Sequence, residues 1–231
     1  MIEHAGLALA TAAFVGTHLA LSHPYRTRLV QNVGEAGFTA LYSIVALLTF
    51  GGLILAYASI DVSVPFWIAP RWWWVAASGF MLLASILLVG AFVRNPAFPH
   101  PGPAKRAPRP ATGVFAITRH PMNWAVILWA LIHLSLWWSP RNIFVAVGML
   151  VLAVAGSIGQ DRKKRSVIGR AWQDWEARTS FVPFGALLTG RVAWRNAAPG
   201  WIAFGGGTAL WLAVTWLHQP SVSPLAFLSG R

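Results

Sequence analysis

The amino-acid sequence predicts an all-α, polytopic membrane protein with six transmembrane helices and an amphipathic helix at the cytoplasmic surface. Only 10% of the 231 residues are charged and 56% are hydrophobic, whereas soluble domains carry roughly 25% charged residues. The apolar residues are grouped in six long blocks that contain no charge. Because lipid offers the backbone no hydrogen-bonding partner, each block that crosses the membrane should be a helix.

The six blocks have the length that a membrane crossing requires. They run from 17 to 22 residues, and a helix needs about 17–25 residues to cross the hydrocarbon core. A soluble protein could bury one such helix, but six in series predict membrane crossings. The blocks are Ala5–Ser22, Phe38–Ser59, Trp72–Val93, Met122–Trp138, Ile143–Gly159 and Trp201–Leu217.

The basic residues alternate between the two sides that six crossings define. Fifteen of the 18 Lys and Arg residues fall in alternate loops, and three fall on the other side. This positive-inside pattern predicts a protein of the bacterial inner membrane with both termini outside the cytoplasm. The net charge of +12 therefore reflects topology, and we expect no nucleic-acid partner.

Three segments lie outside the blocks. Residues 95–113 contain six prolines, which predicts an extended cytoplasmic loop. Residues 161–184 are predicted to form an amphipathic helix on the cytoplasmic leaflet, its basic residues toward anionic headgroups. The tail, residues 219–231, is rich in Pro and Ser and is expected to be loosely ordered. No internal repeat is visible, so we predict a single membrane domain over residues 1–231.

The amphipathic helix is predicted from the spacing of three apolar side chains. Ile168, Trp172 and Trp175 fall at i, i+4 and i+7, which places them on one helical face. We expect this face to lie against the lipid of the cytoplasmic leaflet.

Two histidines within the apolar blocks are candidates for function, because ionisable residues inside a membrane are costly. His18 lies in the first block, and His133 lies in the fourth with Trp129 and Trp137 one turn to either side. Neutral imidazole is a common ligand of iron, and two indole rings could wall a flat cofactor. The alternatives are a helix-packing hydrogen bond for His18 and a lipid-facing position for the tryptophans.

Arg119, His120 and Pro121 directly precede the fourth block. Pro121 suits the first turn of a helix, where N–H groups and the positive end of the dipole can receive an anion, and Arg119 adds a charged fork. The alternative is an anchor at the membrane interface. We expect Glu35 to pair with one of the nearby arginines.

Two further expectations limit the chemistry. His4 and His218 lie at block ends, where we expect interfacial solvation of both. The chain has no cysteine, so any metal must be held by histidines or oxygen donors.

Three stretches together resemble the NnrU membrane protein family: FVGTHLALSHPYR, GEAGFTALYSIVALLTFGGLILAY and TGVFAITRHPMNWAVILWALIHL. That family is found beside denitrification functions and includes plant 15-cis-zeta-carotene isomerases. The resemblance implies a b-type haem held by His18 and His133, and a redox-gated cis–trans isomerisation of a polyene. The family's alternative cysteine ligand falls on Ala130 here, so no thiolate switch is expected.

The depths of the two histidines leave the second ligand open. His18 is near the inner end of its helix and His133 near the outer end of its own. At about 1.5 Å per residue, simple placement separates their depths by roughly 15 Å. By depth, His120 is the alternative partner of His18, whereas the resemblance favours His133.

The resemblance also implies partners. We expect contact with membrane lipid and a hydrophobic or gaseous ligand such as a polyene or nitric oxide, with a homo-oligomer or a membrane partner protein left open. The Arg-His-Pro element and the later DWEARTSFVPF are similar to isoprenylcysteine methyltransferases and membrane sterol reductases. They imply, as an alternative, a lipid enzyme that binds S-adenosylmethionine at Arg119 and His120. A third interpretation is a non-enzymatic accessory protein of a nitrogen-oxide reductase.

Overall fold

The computed structural model describes residues 2–61, 64–93, 95 and 110–218, and every regular element within these ranges is helical. Most of the predicted proline loop, residues 95–113, and the whole tail, residues 219–231, lie outside the described residues. The described helices are α1 (Ile2–Ser22), α2 (Arg26–Ala58), α3 (Arg71–Ala91), α4 (Val114–Ile117), α5 (Pro121–Leu136), α6 (Pro140–Ile168), α7 (Arg170–Arg178), α8 (Gly185–Leu188) and α9 (Gly200–His218).

Five of these helices, α1, α2, α3, α6 and α9, are long and apolar enough to cross a membrane. The sixth predicted crossing corresponds to α5, which is apolar but only 16 residues long. The predicted all-α membrane fold is therefore confirmed, and lipid contact follows from the apolar surfaces of these helices.

Two helices extend well beyond the apolar blocks that predicted them. The 33-residue α2 begins at Arg26, and its backbone leaves the helical conformation once, at Gly34 (φ 73°, ψ 171°). The 29-residue α6 continues through the charged run after Gly159 to Ile168. Lys and Arg are good helix formers, so α6 continues past its apolar part, whereas Gly34 separates the segment that begins at Arg26 from the apolar part of α2.

The predicted amphipathic helix is confirmed, but its bounds and its packing differ from the prediction. It is α7, only nine residues long, and Gly169 (φ 70°) separates it from α6. Trp172 and Trp175 are 1% and 2% exposed and pack in a protein core that includes Ile117. The apolar face of α7 therefore lies against protein, since α4 and α8 supply the apolar surface that lipid was expected to supply.

The chain divides into two compact units. Unit 1 comprises residues 1–69 and 133–159, and unit 2 comprises residues 70–132 and 160–231. The core of unit 1 contains Leu7, Phe14 and Leu53, and the core of unit 2 contains Trp172 and Trp175. The single domain stays a prediction.

In unit 1, α1 and α6 run side by side in the same direction. A Cβ added at Gly148 of α6 would collide with Thr11 of α1, and one added at Gly159 would collide with the ring of His23, which follows α1. The two contacts are eleven residues apart in α6 and twelve residues apart along α1 and the residue that follows it. The two helices therefore stay in register between these contacts. At Gly148 a larger residue would press on the branched side chain of Thr11, whereas at Gly159 the ring of His23 would have to move.

Helix α2 returns antiparallel to α1. The ring centroids of Phe14 and Phe50 are 5.4 Å apart, and those of His18 and Tyr42 are 5.2 Å apart. We call the end of unit 1 where α1 stops and α2 begins the basic end, after Arg26 and Arg28 there. The other end is called the opposite end.

Candidate functional site

His18 lies among aromatic rings near the basic end of unit 1. Its ring centroid is 4.6 Å from that of Phe14 and 5.2 Å from that of Tyr42. Its Nδ1 is buried beside the backbone of Phe14, one turn earlier, without completing a hydrogen bond in ideal geometry. Metal-ligating imidazoles usually direct one nitrogen at an oxygen of this kind, which leaves Nε2 as the nitrogen that could ligate iron.

His133 lies at the opposite end of unit 1, where Asn142 fixes the end of α5. The Nδ2 of Asn142 donates hydrogen bonds to the carbonyl oxygens of His133 at 2.7 Å and of Trp137 at 2.8 Å. The end of α5 and the start of α6 are thus joined in a tight turn around Ser139, whose Oγ accepts from the Asn142 N–H at 3.4 Å. In this turn His133 lies level with Asn142.

The contacts of unit 1 place His18 and His133 at different depths. His18 lies five residues before His23, which packs on Gly159, so His18 is level with Val154 of α6. About twelve residues of α6 separate that level from Asn142, which is roughly 18 Å at about 1.5 Å per residue. The two predicted ligands thus lie at different depths of unit 1, and their joint coordination of one iron stays a prediction.

His4 needs a correction to the sequence interpretation. Interfacial solvation was expected, but its Nε2 is buried and makes no hydrogen bond within the described residues. The half-buried side chain is therefore a second imidazole at the opposite end of unit 1.

In unit 2, His120 lies at the centre of a buried polar cluster. Its Nε2 is 2.9 Å from Oδ1 of Asp161 and its Nδ1 is 3.0 Å from Oε1 of Gln160. Arg119 donates from Nε to Oδ2 of Asp161 at 2.9 Å. Both ring nitrogens of His120 are thus engaged by α6, which leaves neither of them for iron in this arrangement.

The loop that carries this cluster is held by main-chain oxygens of residues 180 and 181. Thr118 Oγ1 and Trp124 Nε1 each donate to the carbonyl of Phe181 at 2.7 Å. The N–H of Arg119 donates to the carbonyl of Ser180 at 2.9 Å. Arg119 therefore makes contacts inside the protein, and Asp161 balances its charge. These contacts argue against Arg119 as a binding site for an anion and as an exposed anchor at the membrane interface.

The sequence named candidate residues but not all of their neighbours. Trp129 lies half-buried on α5, one turn before His133, and its role beside a cofactor stays a prediction. The expected ion pair of Glu35 forms with Arg26 at 2.8 Å. Gln160 and Asp161 were missed as partners of His120; the available signal was an acid directly after an apolar block, in a chain with only six acids.

The fold and these sites define an all-helical integral membrane protein with imidazoles inside its apolar helices. The chain belongs to the NnrU family: the family model described as NnrU protein matches residues 6–224. The resemblance found in the sequence motifs is therefore confirmed over most of the chain.

Two plant proteins are partial relatives. The chain is 35% identical over 82 residues to the chloroplastic 15-cis-zeta-carotene isomerase of Zea mays. It is 32% identical over 81 residues to the protein of the same name from Arabidopsis thaliana. Each match covers 35% of this chain and 22% of the relative, so the chain spans about a fifth of the length of these curated relatives. No solved structure matches the chain significantly.

Proposed function

We propose that this protein is a haem b-dependent cis–trans isomerase that acts on a polyene within the membrane. The observation that carries the proposal is the similarity to 15-cis-zeta-carotene isomerases inside a family match that covers most of the chain. A polyene is as apolar as the lipid tails, so an enzyme embedded in the bilayer can take it directly from the lipid phase.

The donor chemistry of the chain suits haem. Without cysteine, imidazole nitrogens are the donors that would hold the iron. His133 is one proposed ligand, since Asn142 fixes its backbone and Trp129 and Trp137 flank it. His18 is the predicted second ligand, and the depth difference described above weighs against its pairing with His133. When bound, haem would supply a redox-active iron, and these imidazoles would be the residues that hold it.

Two other functions are less well supported. The alternative lipid enzyme would bind S-adenosylmethionine at Arg119 and His120, but these side chains contact Asp161 and Gln160. A role in nitrogen-oxide metabolism, with nitric oxide as ligand or a reductase as partner, rests on sequence resemblance. The polyene reaction is therefore the one that the relatives favour.

We also propose that the protein lies in a bacterial inner membrane with both termini outside the cytoplasm. The support is the distribution of Lys and Arg, which fall mainly in alternate loops. Under this topology the basic end of unit 1 faces the cytoplasm.

The first test is an absorption spectrum of the protein purified in detergent and supplemented with haem, oxidised and then reduced. We expect a Soret band that is lost or shifted in His133→Ala but retained in His218→Ala, a control histidine at the exposed end of α9. A wild-type protein without a Soret band would overturn the haem proposal.

The second test is turnover. The protein is incubated in liposomes with a 15-cis polyene under reducing and oxidising conditions, and the isomers are separated by chromatography. We expect conversion only in the reduced state. Haem binding without conversion in either state would contradict the isomerase proposal while leaving the haem protein intact.

A further inference from the structure

The chain between α7 and α9 exposes large apolar side chains although it contains no membrane-spanning helix. Val182, Leu188 and Trp194 are exposed there, and Leu188 is 74% exposed. Trp201, in the first turn of α9, is 83% exposed. We call these four side chains the apolar patch of unit 2. Exposed apolar side chains grouped on a surface are typical of a site that contacts a membrane or a protein.

Three members of the patch lie around one residue, Phe184. The rings of Trp194 and Phe184 are stacked with their centroids 6.4 Å apart. The N–H of Leu188 donates to the carbonyl of Phe184 at 2.8 Å, and the N–H of Gly185 donates to the carbonyl of Val182 at 3.1 Å. These contacts hold the three exposed side chains next to one another at α8.

The patch lies at the level where two membrane-spanning helices of unit 2 have their ends. A Cβ added at Gly90, in the last turn of α3, would meet Val114 of α4 and Ala203 in the first turn of α9. The N–H of Gly113 donates to the carbonyl of Asn196 at 2.7 Å. The short 3₁₀ helix that contains Asn196 is therefore beside the end of α3 and the start of α9. A bilayer that these helices cross places its headgroup layer at this level.

The side chains at this level suit the headgroup layer of a membrane. Tryptophan is enriched where the hydrocarbon core meets water, and the patch contains both Trp194 and Trp201. Arg195 follows Trp194 and is exposed, and the chain contains no acid after Glu176. The segment thus combines apolar rings with an excess of positive charge, which is complementary to an anionic leaflet.

The second arginine of this segment, Arg191, has a structural role. Its Nη1 donates to the carbonyl of Thr179 at 2.8 Å and to that of Ala177 at 3.1 Å. Its Nε donates to Oγ1 of Thr189 at 2.9 Å. The guanidinium of Arg191 therefore fixes α8 to the end of α7, and Arg195 carries the other charge of the segment.

We propose that the apolar patch and Arg195 bind the headgroup layer of a leaflet that contains anionic phospholipid. The chain between α7 and α9, and not α7 itself, is then the interfacial segment of unit 2. The two indole rings lie at headgroup level, Val182 and Leu188 contact the upper acyl carbons, and Arg195 pairs with a lipid phosphate. Under the proposed topology this is the cytoplasmic leaflet. The proposal depends neither on haem nor on the isomerase reaction.

The first test measures the depth of single nitroxide labels in vesicles of phosphatidylcholine and phosphatidylglycerol. The chain has no cysteine, so Leu188→Cys and Trp194→Cys each carry one label. Ser166→Cys is the control, because Ser166 is exposed on α6 and lies five residues, or roughly 7 Å, past Asp161, which contacts His120 at the start of α5.

The collision rates of the labels with oxygen and with a water-soluble nickel chelate distinguish lipid from water. We expect the labels at positions 188 and 194 to collide more with oxygen, which concentrates in lipid, and the label at position 166 to collide more with nickel. Nickel accessibility at positions 188 and 194 equal to that of the control would overturn the proposal.

The second test addresses the charge. A bimane fluorophore on Leu188→Cys is quenched by brominated lipid beside it, so quenching by brominated phosphatidylglycerol and phosphatidylcholine gives the relative affinity for the anionic lipid. We expect Arg195→Gln to lower this relative affinity about fivefold, the usual effect of one basic side chain at an anionic surface. Arg170→Gln, which changes an exposed arginine at the start of α7, should leave it unchanged. A wild-type value in Arg195→Gln, or an equal fall in both variants, would overturn the proposal.

Two other results are separated by the same labels. A patch that binds a protein partner would be open to nickel in vesicles of the purified protein, which would reject lipid as its occupant. Absence of a Soret band in the wild-type protein would remove the proposed haem function and leave the depth of these labels unchanged.

Discussion

The imidazole of His120 and the carboxylate of Asp161 are 2.9 Å apart, and their side chains are only 2% and 9% exposed. Arg119 binds the second oxygen of the same carboxylate at 2.9 Å. The loop before α5 and the end of α6 are thus joined through one acid that serves two basic side chains. A buried charge is tolerated when it is paired and hydrogen-bonded, so the three side chains depend on one another.

We therefore expect Asp161→Asn to be strongly destabilising. The substitution leaves the Arg119 guanidinium without its compensating charge in a buried site, at a cost of about 3 kcal/mol or more. Unfolding in detergent measures the effect, with Asp174→Asn, an exposed acid of α7, as the control. Equal stability of the two variants would show that the charge of Asp161 does not stabilise the fold.

The ion pair between Arg26 and Glu35 should behave differently. Its side chains are 29% and 66% exposed, and exposed pairs contribute about 0–1 kcal/mol. We expect Glu35→Gln to change the free energy of unfolding by less than about 1 kcal/mol, an effect that added salt reduces further. A larger, salt-independent loss in the same unfolding measurement would argue against this assignment.

The packing of α7 on protein predicts a large effect of Trp172→Ala. The side chain is 1% exposed, and truncating a buried tryptophan costs about 3–5 kcal/mol. Trp194→Ala is the matched control, because that indole is 58% exposed. If α7 were held by lipid, Trp172→Ala would unfold like the control in detergent and would mainly weaken attachment to vesicles.

The close approach of α1 and α6 predicts opposite outcomes for two glycines of one helix. Gly148→Ala places a methyl group against Thr11, whereas Gly156→Ala meets nothing within 4 Å. Overpacking costs about 1–3 kcal/mol, and alanine otherwise favours a helix by about 1 kcal/mol. We expect Gly148→Ala to lower the thermal midpoint and Gly156→Ala to leave it unchanged or raise it. A higher midpoint for Gly148→Ala would contradict the register.

The membrane helices were predictable because hydrophobicity is a property of consecutive residues. The bounds were not, since the charged residues after Gly159 and the polar residues after Arg26 remain helical without being apolar. The periodicity of Trp172 and Trp175 predicted a helix with one apolar face. The periodicity could not show which surface this face packs against. In the structure, that surface is the core of unit 2.

The site required three-dimensional information for a different reason. His120 and Asp161 are 41 residues apart in the chain, and no local pattern connects them. The depth of His18 relative to His133 likewise depends on the contacts of α6 with α1 and with the end of α5.

The glycine contacts of α6 have a consequence for the surrounding lipid. Gly148 and Gly159 pack against Thr11 and His23 at two separate points, so two contacts along the length of α1 and α6 define their register. Bilayers of different thickness are commonly accommodated by tilting or by local distortion of the lipid. In a thinner or thicker bilayer, these two helices should therefore tilt together as a pair, and the spacing between groups along their length should stay constant.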